Sequence, residues 1–354
     1  MFNSNFFKIY ILPGMTFQSI VISGGYCTGQ EMNQYFLALG PTNGLYGLIV
    51  TTVMWSIVCA ASFVFAILHR AYDYKKFFKS LLGRAWVIFE IAYLYLVLIV
   101  LSVIAASVGS LLQDLLGIPY IIGLILPFIY ILFMVYKSSE SIEKMFSFLS
   151  IGLYAVFIAF LYCCYQKSNN LLFEGVTLPS GIAWVKNGIA YASYNVGALP
   201  AVLFTLRHLK TRRQALISGL LAGPLASMPG VMLLLALSTQ YPSVLDATVP
   251  SVYLLNHVGV SLLTIAFSVV LISTLVETGV GVVYAFKDRI HLKKYKKMPV
   301  IILLIVAFCL GQLGLVNLIA EGYRLLTWFM IAVFIVPLLT VGITKTIYFK
   351  NNVS

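Results

Sequence analysis

The chain has 354 residues, of which 61% are hydrophobic, 14% aromatic and only 10% charged. A soluble domain carries about 25% charged residues, so this composition excludes a soluble enzyme, a disordered chain and a nucleic-acid module. Its net charge of +12 does not argue for nucleic acid either, because Lys and Arg fall in short blocks between apolar runs. Such blocks are the mark of cytoplasmic loops, and about 20 apolar residues are enough to cross a bilayer as helix. The run LYLVLIVLSVIAA at 94–106 does not alternate, which excludes an outer-membrane barrel. The five cysteines lie within or at the ends of apolar segments and imply no disulfide framework. The N-terminus has no cleavage signature, so the first span is expected to be retained.

In chain order, apolar windows predict ten membrane-spanning helices. They lie over 6–39, 43–68, 86–113, 117–136, 146–165, 180–207, 214–239, 258–286, 299–314 and 324–347 of one transmembrane domain covering 1–354. A cytoplasmic N-terminus puts 20 of the 23 Lys and Arg on one side, leaving only Lys167, Lys186 and Arg324. That asymmetry predicts a multi-pass protein of the cell membrane, with an even number of spans and both termini cytoplasmic.

Spans 1 and 6 share a feature that the others lack. Gly24-Gly25-Tyr26-x-x-Gly29 and Ala192-Ser193-Tyr194-x-x-Gly197 are about half a chain apart, with five spans per half. An odd number of spans gives the halves opposite orientations, so the sequence predicts inverted repeats over roughly 1–167 and 168–347 with one discontinuous helix in each. A helix broken at mid-membrane strands peptide groups, which is tolerated only beside protein or a watery cavity. The backbones of Ser23, Gly24, Gly25, Tyr26 and Cys27, and of Tyr191, Ser193, Tyr194 and Asn195, are therefore expected to bind the polar ends of a small solute. Thr28 and Asn195 are the expected N-caps of the following half-helices. Tyr26 and Tyr194 are expected to close over the solute. The alternative is packing of small residues at helix contacts.

Ionisable residues inside spans are costly and mark function by default. Glu31 suits a capping box with Thr28, a substrate amine, a proton or an outer gate. Glu277, deep in span 8, suits proton or amine binding. Lys186 is expected to line an outer vestibule, to pair with Glu31 or to reach the interface. Arg324, with Glu321, forms a gate or a surface pair. No HExxH, GxSxG or paired intramembrane aspartate is present, so no enzyme is expected, and the histidines show no metal-ligand spacing.

Ser-Gly-Gly-Tyr-Cys-Thr-Gly-Gln-Glu at 23–31, followed by Tyr35-Phe36 and Gly40, with Tyr191-x-x-Tyr194-Asn195 in span 6, resembles the YkvI-like family of bacterial membrane proteins. Ser23 stands where many members have Gly. The family is similar to the amino acid–polyamine–organocation superfamily, and the resemblance implies an all-α LeuT-type fold of five plus five inverted spans. It implies a secondary transporter without a resident cofactor. In sodium-coupled carriers of that type, an ion lies between the break in span 1 and a hydroxyl pair on span 8. Ser273-Thr274 matches the pair, and carbonyls near Ile22, Gly25 and Val270 would complete the shell. Proton-coupled relatives place a Lys on span 5, which 146–165 lacks, so Na⁺ is the expected coupling ion. The expected function is Na⁺-coupled symport of an amino acid or similar small nitrogenous solute by alternating access. An H⁺-coupled carrier and a solute receptor of the spore-germination type are the alternatives. The oligomeric state is not read from the sequence.

Overall fold

The structure is a computed structural model, and it describes residues 4–22, 26, 28–137, 139–167, 181–287 and 297–347. Every regular element among them is helical. The helices that matter here are α1 (Leu12–Val21), α2 (Gln30–Tyr35), α3 (Pro41–Leu68), α4 (Tyr74–Leu82), α5 (Trp86–Leu116), α6 (Tyr120–Met134) and α7 (Ser139–Lys167). They are followed by α8 (Ala183–Asn195), α9 (Arg212–Ser238), α10 (Pro250–Val258), α11 (Ser261–Lys287), α12 (Met298–Gly311) and α13 (Leu315–Ile347). The last of these contains several wider π-type turns.

Among the described residues, five stretches are long and apolar enough to cross a membrane: those containing α3, α5, α9, α11 and α13. Shorter apolar helices include α6 and α12. Large apolar side chains cover the outside, as in the row Ile121, Ile125, Ile129 and Phe133 along one face of α6. Such a surface is stable only where the surrounding medium is itself apolar. The chain is therefore a multi-pass membrane protein.

Helix packing follows from where small residues and prolines fall. The most extensive helix pair is α3 with α9. A Cβ on Gly219 would lie 2.3 Å from the Ala60 backbone, and one on Gly223 2.1 Å from Ser56. Two glycines four residues apart thus let the axes close in, the usual way helices associate in lipid. α9 also contains Pro224 and Pro229, and each proline removes the N–H that the carbonyl four residues earlier would accept. Those carbonyls belong to Leu220 and Leu225, and both find side-chain donors. The Ser56 hydroxyl donates to Leu220 O at 3.0 Å, and the Tyr154 hydroxyl donates to Leu225 O at 2.6 Å.

Two helices lie where the sequence reading had only loops. α4 is amphipathic: Tyr74, Phe77, Phe78 and Leu81 are buried while Lys75, Lys76 and Lys79 point outward. Its nine residues are too short for an apolar-window search, and its mean hydropathy is diluted by the lysines. α10 begins at Pro250 and packs against the start of α2.

Candidate functional site

The first interruption lies where the sequence puts it. α1 ends at Val21, and Ile22 leaves the helix at φ −72°, ψ 69°. The chain re-enters helix at Gln30 through Gly29, whose φ of +83° favours glycine. A Cβ there would also press on Pro250 at 3.0 Å. The N-cap position is therefore Gly29 rather than Thr28. Thr28 contributes its freed carbonyl, which accepts the Ser251 N–H at 3.0 Å. Ser23, Gly24, Gly25 and Cys27 lie outside the described residues. Tyr26 is fully buried and donates to Ala226 O of α9 at 3.3 Å, where Gly230 leaves room for its hydroxyl. The expected role of Tyr26 in closing over a solute would begin from this position, with its hydroxyl held on α9.

The second interruption begins later than expected and takes another form. α8 runs through Tyr191–Asn195 as regular helix, and the chain then tightens into 3₁₀ turns over Val196–Ala201 and Leu203–His208. Pro200 lies in the first of these turns and cannot donate the N–H an α-helix needs. The backbone of Tyr191, Ser193, Tyr194 and Asn195 is therefore not unwound, contrary to the sequence expectation. Asn195 is no side-chain cap, since its amide donates back to Tyr191 O at 3.0 Å, and Ser193 donates back to Ile189 O at 2.6 Å. Ala192 O accepts the Trp55 indole N–H at 3.2 Å. Gly197 serves close approach, because a Cβ there would lie 2.0 Å from a Leu96 methyl.

At the end of α1 the structure gathers oxygens around α11. The Thr278 hydroxyl lies 2.7 Å from Ser19 O, 3.1 Å from Ile22 O and 3.0 Å from Thr274 O. One hydroxyl proton can serve only one of these three acceptors. Three carbonyl dipoles therefore converge on one buried point, with Glu277 as the preceding residue. Glu277 is 1% exposed, its carboxyl oxygens are shut off from solvent, and the Ser19 side chain lies beside them.

The hydroxyl facing α1 is thus Thr278, one turn beyond the expected Ser273-Thr274 pair. Residues 274 and 278 are about 40° apart around a helix of 3.6 residues per turn, whereas Ser273 is about 140° from Thr278. Thr274 joins through its carbonyl, while its hydroxyl donates to Leu271 O. The Ser273 hydroxyl donates to Val269 O, and its side chain lines a different cleft with Tyr130 and Val276. Val270 is only half-buried and lies two turns from Thr278. Of the expected shell, Ile22 and Thr274 are brought together, and Gly25 lies outside the described residues.

Beyond the first interruption in the chain, Glu31 is fully buried among tyrosines. The Tyr191 hydroxyl faces it, and Tyr35 and Tyr194 lie within its electrostatic reach. The rings pack closely. Tyr35 is 5.4 Å from Tyr191 and 5.8 Å from Tyr194, and Tyr194 stacks on Tyr323 at 4.3 Å and 17°. Tyr323, on α13, went unnoticed in the sequence because nothing local separates it from the many span-end tyrosines.

Tyr35 also borders a cleft of about 730 Å³ shared with Gln34, Lys186, Asn187, Arg324 and Trp328. Lys186 lines this cleft, and it makes no ion pair with Glu31 among the described residues. Arg324 pairs with Glu321 at an exposed position beside that cleft.

No profile of a known protein family matches the chain. Over 328 residues it is 24% identical to the "Uncharacterized membrane protein YkvI" of Bacillus subtilis (strain 168), covering 88% of this chain and 90% of that protein. Among solved structures it is similar to a variant of the Eremococcus coleocola manganese transporter, at a TM-score of 0.62 and 15% identity over 94% of this chain and 78% of that one. The same transporter in complex with an aromatic bis-isothiourea substituted compound gives a TM-score of 0.58 at 14% identity, over 92% of this chain and 77% of that one. The chain is thus a relative of YkvI that shares the fold of a membrane transporter.

Proposed function

We propose that this protein is a secondary transporter of a small nitrogenous solute such as an amino acid, driven by Na⁺ and working by alternating access. The reading takes its ten spans as two inverted repeats over roughly 1–167 and 168–347, in the cell membrane with both termini cytoplasmic. The observation that carries it is the convergence of Ser19 O, Ile22 O and Thr274 O on the Thr278 hydroxyl at the end of α1. Hard oxygen ligands without a full charge suit a small alkali cation. A cation held there ties the broken helix to α11, so its loss frees α1 to move.

Glu31 and its tyrosines supply the other half of the site. A carboxylate set among tyrosines suits a cationic nitrogen, which the charge attracts and which a nearby ring face can favour further. Lys186 and Arg324 on the cleft suit a carboxylate at the opposite end of the same solute.

The experiment is uptake of radiolabelled amino acids into proteoliposomes under an inward Na⁺ gradient. The reading predicts accumulation that collapses when the gradient is dissipated. Solute binding without any flux would favour a receptor instead. The buried Glu277 beside the oxygen cluster favours proton coupling as the second reading, and accumulation driven by a pH gradient without Na⁺ would select it.

A further inference from the structure

We propose that the outer face between α6 and α12 is a binding site for an anionic phospholipid, whose acyl chain lies in the groove and whose phosphate rests on Lys137, Lys287 and Lys297. The groove is wholly apolar. Phe128 and Leu304 form its floor, Ile125, Ile129 and Ile305 its exposed rims, and it encloses about 360 Å³. Because α6 and α12 run antiparallel, the groove leads from Phe308 and Ile125 at one end to Leu132 and Ile301 at the other.

At that second end three lysine ammonium groups gather on aromatic rings. Lys287 Nζ and Lys297 Nζ lie 5.4 Å and 5.6 Å from the Tyr136 ring, and Lys137 Nζ lies 4.6 Å from the Phe133 ring. Lys287 is fixed further by donating to Val135 O at 2.8 Å. Lys137 and Lys297 remain exposed. An apolar slot facing lipid would take any acyl chain, so it selects nothing by itself. The cationic cluster at its end is what selects, and it complements a phosphodiester without a compensating choline or ethanolamine. Basic pockets between membrane helices bind anionic headgroups on this physical ground, each near-surface lysine being worth about fivefold in binding. The same cluster holds α6 to the end of α11 through Val135, so an occupied site would brace that helix contact.

The test is native mass spectrometry of the full-length protein, delipidated in detergent and titrated with palmitoyl-oleoyl phosphatidylglycerol or the phosphatidylcholine of the same chains. Phosphatidylglycerol is expected to bind at least tenfold more tightly at one saturable site and to raise the melting temperature. Lys137→Gln with Lys297→Gln removes only the two exposed lysines and is expected to cut phosphatidylglycerol binding roughly 25-fold while leaving phosphatidylcholine binding unchanged. Ile305→Trp, which fills the groove and leaves the lysines in place, is expected to remove the site for both lipids. Equal binding of the two lipids by the unmodified protein would overturn the proposal. So would undiminished binding in the lysine variant, or equal protection by millimolar inorganic phosphate, which would mark a free-anion site.

Discussion

The Thr278 hydroxyl lies 2.7 Å from the carbonyl oxygen of Ser19, a residue 259 positions away in the chain. That contact joins the end of the first, broken helix to α11, and the coupling reading turns on it. Thr278→Val keeps the shape and removes the oxygen. Taking an oxygen–cation contact as comparable to a hydrogen bond with a charged group, about 1.5–3 kcal/mol, Na⁺ affinity is expected to fall roughly 10- to 150-fold, read as the Na⁺ concentration for half-maximal thermal stabilisation. Ser273→Ala is the control and is expected to leave that concentration unchanged.

Glu31→Gln keeps the volume of the side chain and removes its charge. Binding of an amine-bearing solute is expected to weaken tenfold or more by isothermal calorimetry, while the melting temperature in the absence of solute stays near that of the unmodified protein. An unchanged affinity would remove Glu31 from the site.

Tyr154→Phe strips the donor from Leu225 O, which Pro229 has already deprived of its helical partner. A buried carbonyl left unsatisfied costs about 1–3 kcal/mol, and thermal unfolding in detergent is expected to show a loss of that size. Adding Pro229→Ala restores an N–H for the carbonyl, so the double variant is expected to recover much of it. Additive losses would refute the account.

Gly219→Ala drives a methyl into the Ala60 backbone, where nothing flexible can yield, and overpacking of this kind costs about 1–3 kcal/mol. Gly152→Ala, inside α7, meets no atom within 4 Å and is expected to keep or slightly raise the melting temperature, because Ala favours helix over Gly. The pair separates close helix approach from the general effect of adding a methyl.

His69, just past the end of α3, has its pKa lowered, first by burial and then by the Lys345 charge. The folded protein therefore resists its protonation, while the unfolded chain protonates near 6.5. Stability from this group is present above that pH and is lost as the pH falls below it. His69→Gln is expected to flatten the dependence of melting temperature on pH between about 6.5 and 5.

Composition and the long apolar runs determined that the chain is helical and lies in a membrane, because lipid permits no other use for such segments. The glycines of 24–29 located the first interruption for a local reason: Gly29 takes a backbone angle that other residues avoid. Buried acids at 31 and 277 were legible as candidates from their setting in apolar sequence alone. The second interruption was misplaced by a few residues, because a motif of small residues serves close packing as readily as unwinding, and Pro200 was the stronger signal. Which hydroxyl of α11 meets α1 was decided by helix rotation, a quantity set by the whole bundle and carried by no local pattern. The tyrosines around Glu31 come from α2 and α8, with Tyr323 of α13 stacked on them, and only packing could bring those separate stretches together. Local chemistry thus fixed what each segment can be, and the fitting of one helix against another chose which of its faces does the work.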